Sequence, residues 1–224
     1  MSAIFITATG TDIGKTCVAT ALIRHLRNKN EAVDALKPVV TGYDPARPET
    51  SDTGRLLVAL GRAVTPDEIA RVSPWRFTAP LAPDLAAQQE GRTLDFDQLV
   101  DFSRKAMREH SGKLLIEGIG GVMVPLDTSH TVLDWIGALK VPLLLVAGSY
   151  LGSISHTLTC LDVLNWRQLS IRAVVVNETP DSTVTVAETV ASVIRFAQQI
   201  PVLALPRLEA DDTGAQIARI SNIL

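Results

Sequence analysis

A short apolar run, Ile4-Phe5-Ile6, leads directly into Ala8-Thr9-Gly10-Thr11-Asp12-Ile13-Gly14-Lys15-Thr16, and residues 18–27 then follow helical periodicity. A buried-type strand, a Gly-containing loop closed by Gly-Lys-Thr, and a helix form the layout of a phosphate-binding loop. That order constrains the fold as well as the ligand. A strand followed directly by a helix is the repeating unit of α/β folds with parallel sheets. Within the loop, Gly14 lets backbone N–H groups approach an anion without a Cβ in the way. The helix N-terminus adds unpaired donors and a partial positive charge. Lys15 would neutralise β- and γ-phosphate oxygens, and the Thr16 hydroxyl would sit on Mg²⁺. The strict pattern calls for Gly five positions before Gly14. Thr9 stands there, so the loop is a variant.

The rest of the chain repeats the β–α rhythm. Apolar, β-branched runs recur at 4–7, 32–36, 114–116, 143–146, 173–176 and 202–205, and continuous rather than alternating runs suit strands covered on both faces. Helical patterns fill 16–27, 53–60, 81–90, 96–109, 131–139, 154–166 and 185–198, with a short amphipathic stretch at 215–223. The expectation is one α/β domain over residues 1–224. Its sheet would be doubly wound and mostly parallel, of about seven strands, with helices on both faces. The proline-rich stretch 38–83 breaks the rhythm and reads as a long excursion with short helices.

In open α/β sheets ligands bind beyond the carboxyl ends of the strands, so the polar residues after each run are the candidates for function. Lys37 ends the second run and precedes Pro38-Val39-Val40-Thr41-Gly42. It reads either as a lysine snorkelling to the surface or as a functional cation facing the loop, and the apolar residues before it favour the second. Glu117 opens Glu117-Gly118-Ile119-Gly120-Gly121. A carboxylate there could hold Mg²⁺, which prefers oxygen ligands, or simply close a turn. Asp52, in Thr50-Ser51-Asp52-Thr53, reads as a helix N-cap as readily as a metal ligand. The segment 147–153 is rich in Gly and Ser ahead of a helix, and either caps it or receives a carboxylate. Asn177, followed by Glu178, could read an adenine edge or satisfy a turn, and His156 reads as structural. Pro206-Arg207-Leu208 ends the last run.

Bulk properties narrow the classes. With 46% hydrophobic and 20% charged residues and a net charge of −3, nothing suggests a basic surface for nucleic acid. No apolar run nears the ~20 residues of a membrane span. Cys17 and Cys160 lie far apart without metal spacing and read as reduced thiols in or near the core. No basic segment followed by an apolar core marks the N-terminus, so the expected location is cytoplasmic.

Together the motifs resemble those of the dethiobiotin synthetases. The matching pieces are Thr11 with Gly14-Lys15-Thr16, Lys37-Pro38-Val39 with Thr41-Gly42, Ser51-Asp52, Glu117-Gly118 with Gly120-Gly121, Asp134-Trp135, Leu151-Gly152 with His156, and Asn177, in order over residues 3–208. The resemblance implies a homodimeric enzyme that uses ATP and Mg²⁺ to close a cyclic urea from 7,8-diaminopelargonic acid and CO2 or bicarbonate, through a carbamate and its phosphorylated anhydride. It implies that Thr11, Lys15, Lys37 and Thr41 surround the carbamate and γ-phosphate, and that Thr16, Asp52 and Glu117 hold the metal. Asp12, Ile13, Cys17, Gly118, Ile119 and Gly120 would complete the nucleotide site. Asn177, Glu178, Pro206, Arg207 and Leu208 would border the adenine. Leu151, Gly152, Ser153 and Ser155 would receive the substrate's carboxylate tail across the dimer interface. Ala8, Gly10 and Ser155 depart from the family's usual Gly, Asp and Asn, and Asp211 and Asp212 are the candidates for a ribose contact. Two other ATP-using classes fit less well. Partition and cell-division switch ATPases carry an extra lysine at the place of Gly10, and cobyrinate-type synthetases need a glutaminase domain that 224 residues do not hold.

Overall fold

The computed structural model describes residues 2–207 and 213–224. Its main sheet is parallel throughout and contains β1 (Ser2–Ala8), β2 (Val33–Leu36), β5 (Lys113–Glu117), β6 (Leu143–Gly148), β7 (Ile171–Asn177) and β8 (Val202–Leu205), in the order β2-β5-β1-β6-β7-β8. The main sheet therefore has six strands, one fewer than the count expected from the sequence. Two further strands of two residues each, β3 (Val39–Val40) and β4 (Trp75–Arg76), pair separately inside the proline-rich excursion. They are too short to leave a periodicity signal, which is why the sequence showed only broken structure there.

The helices are α1 (Lys15–Asn28), α2 (Asp52–Ala59), α3 (Pro66–Val72), α4 (Pro83–Gln89), α5 (Phe96–Glu109), α6 (Val132–Leu139), α7 (Ser153–Trp166), α8 (Val186–Ile194) and α9 (Thr213–Ser221). Strand pleating sorts the apolar residues into two cores. On β1, Ile4, Ile6 and Ala8 face the layer of α1, α2 and α9, where Leu22, Leu56 and Ile220 are buried. Phe5 faces the other layer, with Leu99 of α5, Ile136 of α6, Leu161 of α7 and Val193 of α8. The same alternation splits Leu144 and Val146 from Leu143 and Leu145 on β6. A strand buried on both faces has no polar side to show, hence its continuous apolar sequence.

Asp134-Trp135 has a structural job. The Asp134 carboxylate accepts from the Thr131 backbone N–H at 2.9 Å and caps α6. The buried Trp135 ring meets Phe5 edge-on at 4.8 Å. No helix among the described residues is long and apolar enough to cross a membrane.

Strand order places the cleft. The chain leaves β1 towards β2, returns to β5, and then passes over β1 to reach β6. At such a reversal the loops after neighbouring strands part in opposite directions and leave a crevice at their carboxyl ends.

Candidate active site

Parallel register builds the centre of this crevice. Leu36 of β2 lies opposite Ile116 of β5, and Ile6 of β1 lies opposite Glu117. The residues that follow Leu36 and Ile116 therefore emerge side by side, and these are Lys37 and Glu117. The Lys37 ammonium donates to Glu117 Oε1 at 2.8 Å and to the Gly118 carbonyl at 2.6 Å, and stands 3.3 Å from Asp52 Oδ2. Lys37 is 2% exposed and Glu117 1%, so the snorkelling alternative does not hold. Burial pushes the Lys37 ammonium towards neutrality, but Glu117 and then Asp52 outweigh it and raise its pKa. For Asp52, burial is the largest influence and pushes upward, but the Lys37 charge, hydrogen bonds from Thr16 and Lys37, and the Lys15 charge together outweigh it and leave the carboxyl below its ordinary value.

Asp52 is not the helix cap. Ser51 fills that position, its hydroxyl accepting from the Gly54 N–H at 3.0 Å. Asp52 is the first residue of α2, and its carboxylate is free to meet Lys37.

The loop after β1 wraps over this pair. The Lys15 ammonium donates to the carbonyls of Gly120 at 2.7 Å and Gly10 at 3.2 Å, and so ties the loop to the segment after β5. Burial, together with repulsion from Lys37, lowers its pKa to about 8. Gly14 sits at φ +105°, and a Cβ there would come within 2.2 Å of the Asn177 amide nitrogen. That amide donates to the Ile13 carbonyl at 3.0 Å. Asn177 thus clamps the loop from β7, a role the sequence left open between an adenine contact and a turn. The left-handed positions of the loop are Asp12 and Gly14. Gly10 has room for a Cβ, and Ala8 is fully buried in the α1-side core.

A cleft of about 780 Å³, within the range of small-molecule sites, opens over these groups. Thr11, Asp12, Gly14, Lys15, Thr16 and Cys17 line its floor. Lys37, Val40, Thr41 and Asp52 border it from the excursion, with Ile119 and Gly120 beside them. Asn177, Glu178, Pro206 and Arg207 form a further rim. Pairing of β7 with β8 brings that rim together. Asn177 lies opposite Leu205, the Glu178 N–H donates to the Leu205 carbonyl, and the Glu178 carboxylate accepts from the Arg207 N–H at 2.6 Å. Ile13 and Gly118 contribute carbonyls to the Asn177 and Lys37 bonds. Leu208, Asp211 and Asp212 lie outside the described residues.

Two expectations need correction or relocation. Cys17 is exposed on the cleft rather than in the core, because the first turn of α1 turns one face to the cleft. Cys160 is partly buried, and its thiol is pushed up to about 11 by burial. Leu151, Gly152, Ser153 and Ser155 do not border this cleft. They lie at the start of α7, where Leu151 is 84% exposed, while the buried Ser153 hydroxyl has no partner among the described residues. His156 is exposed there and bonds the Tyr150 hydroxyl at 2.8 Å. Sequence reasoning missed Arg55, an exposed residue of α2 that borders the cleft. Its spacing of three from Asp52 was the available signal.

The donor set suits a hard divalent cation. The Thr16 hydroxyl donates to Glu117 Oε1 at 2.7 Å, and Glu117 Oε2 is buried without a partner among the described residues. Two carboxylates and a hydroxyl are oxygen ligands of the kind Mg²⁺ takes when it shares its shell with phosphates. No group of three His, Cys, Asp or Glu side chains among the described residues forms a metal cage by itself.

The AAA domain family matches residues 2–211 of the chain. The ATP-dependent dethiobiotin synthetase BioD of Acidiphilium cryptum is 47% identical over 214 residues, covering 95% of this chain and 94% of that protein. The BioD protein of Caulobacter vibrioides NA1000 is 46% identical over 218 residues, covering 97% and 98%. Among solved structures, the MinC:MinD cell division complex of Aquifex aeolicus superposes with a TM-score of 0.59 at 11% identity, over 99% of this chain and 95% of that one. At that identity the likeness is one of fold.

Two stability outcomes follow from the buried charges. A lysine whose folded pKa lies below its unfolded value of 10.5 binds fewer protons when folded. Its cost, about 3 kcal/mol, is therefore full below pH 8 and fades as pH rises towards 10.5. Lys15→Met, which also loses two hydrogen bonds, should be about 1–3 kcal/mol more stable than the parent at pH 7 in urea unfolding, with the gap closing by pH 10.5. Lys37→Met strands the Glu117 charge and should lose about 3–5 kcal/mol. Adding Glu117→Gln should recover most of that loss, and no recovery would show that the pair does not carry the effect.

Proposed function

Because the chain belongs to the dethiobiotin synthetase family, we propose that its cleft carries out the ATP-dependent closure of a cyclic urea on 7,8-diaminopelargonic acid and CO2, as an ATP-dependent ligase of biotin biosynthesis. The single observation that carries this reading beyond the family match is the buried Lys37 ammonium, held charged beside Lys15 at the mouth of a phosphate loop. A switch ATPase needs its loop lysine. A ligase that phosphorylates a carbamate needs a second fixed cation where the acceptor's negative oxygen meets the γ-phosphate.

The chemistry sets the requirements. An amine adds to CO2 and releases a proton, giving an N-carbamate, which is a poor electrophile. Transfer of the γ-phosphoryl group to a carbamate oxygen leaves ADP and makes that oxygen a leaving group. The second amine then attacks the carbonyl carbon, releases phosphate and a proton, and closes the ring. Phosphoryl transfer itself asks chiefly for alignment and neutralisation of charge. Lys37 would hold the carbamate oxygens, Lys15 the β- and γ-phosphate oxygens, and Thr11 and Thr41 would fix the acceptor by hydrogen bonds. Thr16, Asp52 and Glu117 would hold Mg²⁺, which supplies charge neutralisation on the phosphate chain. Asp12, Ile13, Gly14 and Cys17 would follow the phosphates, and Gly118, Ile119 and Gly120 would back them. Asn177, Glu178, Pro206, Arg207 and Leu208 would border the base.

The start of α7 stands outside the cleft of its own subunit. The proposed arrangement is a homodimer in which Leu151, Gly152, Ser153 and Ser155 of one copy take the carboxylate tail of a substrate held by the other. Each copy would be one single domain, residues 1–224, supplying the nucleotide cleft of one site and the tail-binding segment of the other, and the cytoplasm would supply ATP.

In an assay of the full chain, ADP release should require the diamine, bicarbonate and Mg²⁺ together, with one ADP per cyclic urea formed. Equal ADP release without the diamine would replace this reading with the switch ATPase. Analytical ultracentrifugation at assay concentration should show a dimer, and an active monomer would remove the shared-tail arrangement.

A further inference from the structure

Arg55 borders the cleft with Asp52, Thr16, Cys17 and Ala21, and the fold supplies no reason for its charge. Counted from Asp52, it is the fourth residue of α2. A cation in the first turn opposes the partial positive charge at a helix N-terminus. The acid one turn back, Asp52, is engaged by Lys37. Among the described residues the guanidinium makes no ion pair and no hydrogen bond, although other surface arginines, such as Arg62 on Asp34 and Arg167 on Asp134, do. A permanently charged fork placed against a helix dipole, without a partner, costs stability unless an anion arrives.

The helix face that carries Arg55 is fixed. A Cβ on Gly54 would lie 2.3 Å from the Pro48 carbonyl oxygen, so the first turn of α2 is pressed onto the 3-10 turn Pro48–Thr50 and cannot roll. Asp52 and Arg55, three residues apart, share one helix face, and both border the cleft. Cys17 and Ala21, one turn apart on α1, border it as well. Arg55 therefore faces the same cleft as the first turns of α1, where the proposed reading places a phosphate chain. Lys37 is committed to Glu117, Gly118 and Asp52, and Lys15 to two carbonyls. Arg55 brings uncommitted donors in the fork geometry that matches phosphate oxygens.

We infer that Arg55 is a phosphate-chain contact that sets the preference of this cleft for nucleoside triphosphates and diphosphates over monophosphates. The inference rests on the proposed nucleotide reading and adds to it a specificity-determining side chain. Binding of Mg²⁺ with ATP, ADP or AMP to the full-length chain by isothermal titration calorimetry tests it. Arg55→Met should weaken ATP and ADP by about 10–100-fold, as loss of charge-assisted hydrogen bonds implies, and change AMP by less than about twofold. Arg55→Lys, which keeps the charge but not the fork, should recover part of the loss. The thermal midpoint of ligand-free Arg55→Met should not fall, since among the described residues the arginine makes no ion pair or side-chain hydrogen bond to lose. Equal losses for ATP and AMP would overturn the assignment. So would unchanged nucleotide affinity combined with a raised KM for the diamine, which would give Arg55 to the other substrate. If the parent binds ATP but forms no cyclic urea, the ligase reading fails while the comparison of Arg55 variants still stands.

Discussion

The site depends on one buried ammonium. Lys37 places a full charge at 2% exposure between the carboxylates of Glu117 and Asp52. Taking such charges out of water costs several kcal/mol per ion, and replacing a buried pair by apolar residues is often neutral or stabilising. Stability alone therefore gives no reason to keep it. What the pair does is mechanical and electrostatic. It ties the end of β2 to the end of β5 and to the first residue of α2, and it leaves Glu117 able to accept from Thr16. Strand, loop and helix are locked into one polar cluster, so its charges need little rearrangement when a ligand enters, which is the condition for effective electrostatic catalysis.

The phosphate loop is held by a comparable economy of contacts. Lys15 bonds it to Gly10 and Gly120, and Asn177 bonds it to β7. The loop is thus tied down on both sides, and the Lys15 ammonium is held by two carbonyls. That ammonium is poised near pH 8 by burial and by Lys37. Below pH 8 it stays charged at a cost to folding, and an anion beside it would offset part of that cost. This is the usual exchange between stability and function at polar sites.

Much of the fold was legible because buried parallel strands announce themselves as unbroken apolar runs. All six such runs became strands of the main sheet, with end shifts of a few residues. Among the described residues no seventh strand joins the main sheet. β3 and β4 hold two residues each, and pairing between them is a tertiary event with no local signal. Ser51 rather than Asp52 caps α2, a shift of one residue that decides whether a carboxylate serves the helix or the site. Cys17 was misplaced because periodicity marks the apolar face of α1 but not which part of that helix the loop leaves uncovered.

By itself the sequence determined the chemistry on offer: a Gly-Lys-Thr loop after a buried strand, a lysine and a glutamate at the ends of two further strands, and an α/β order that sends all strand ends to one edge. Those features are local, set by residue type, spacing and the direction of the chain. The tertiary structure decided what they do to one another. Register of β2 against β5 put residues 37 and 117 in contact across 80 positions of sequence. Pairing of β7 with β8 built the far rim, and the seat of Gly54 on Pro48 turned Arg55 into the cleft. Each depends on which strand lies beside which and on how two surfaces fit, and such distances between remote residues exist only once the sheet has closed.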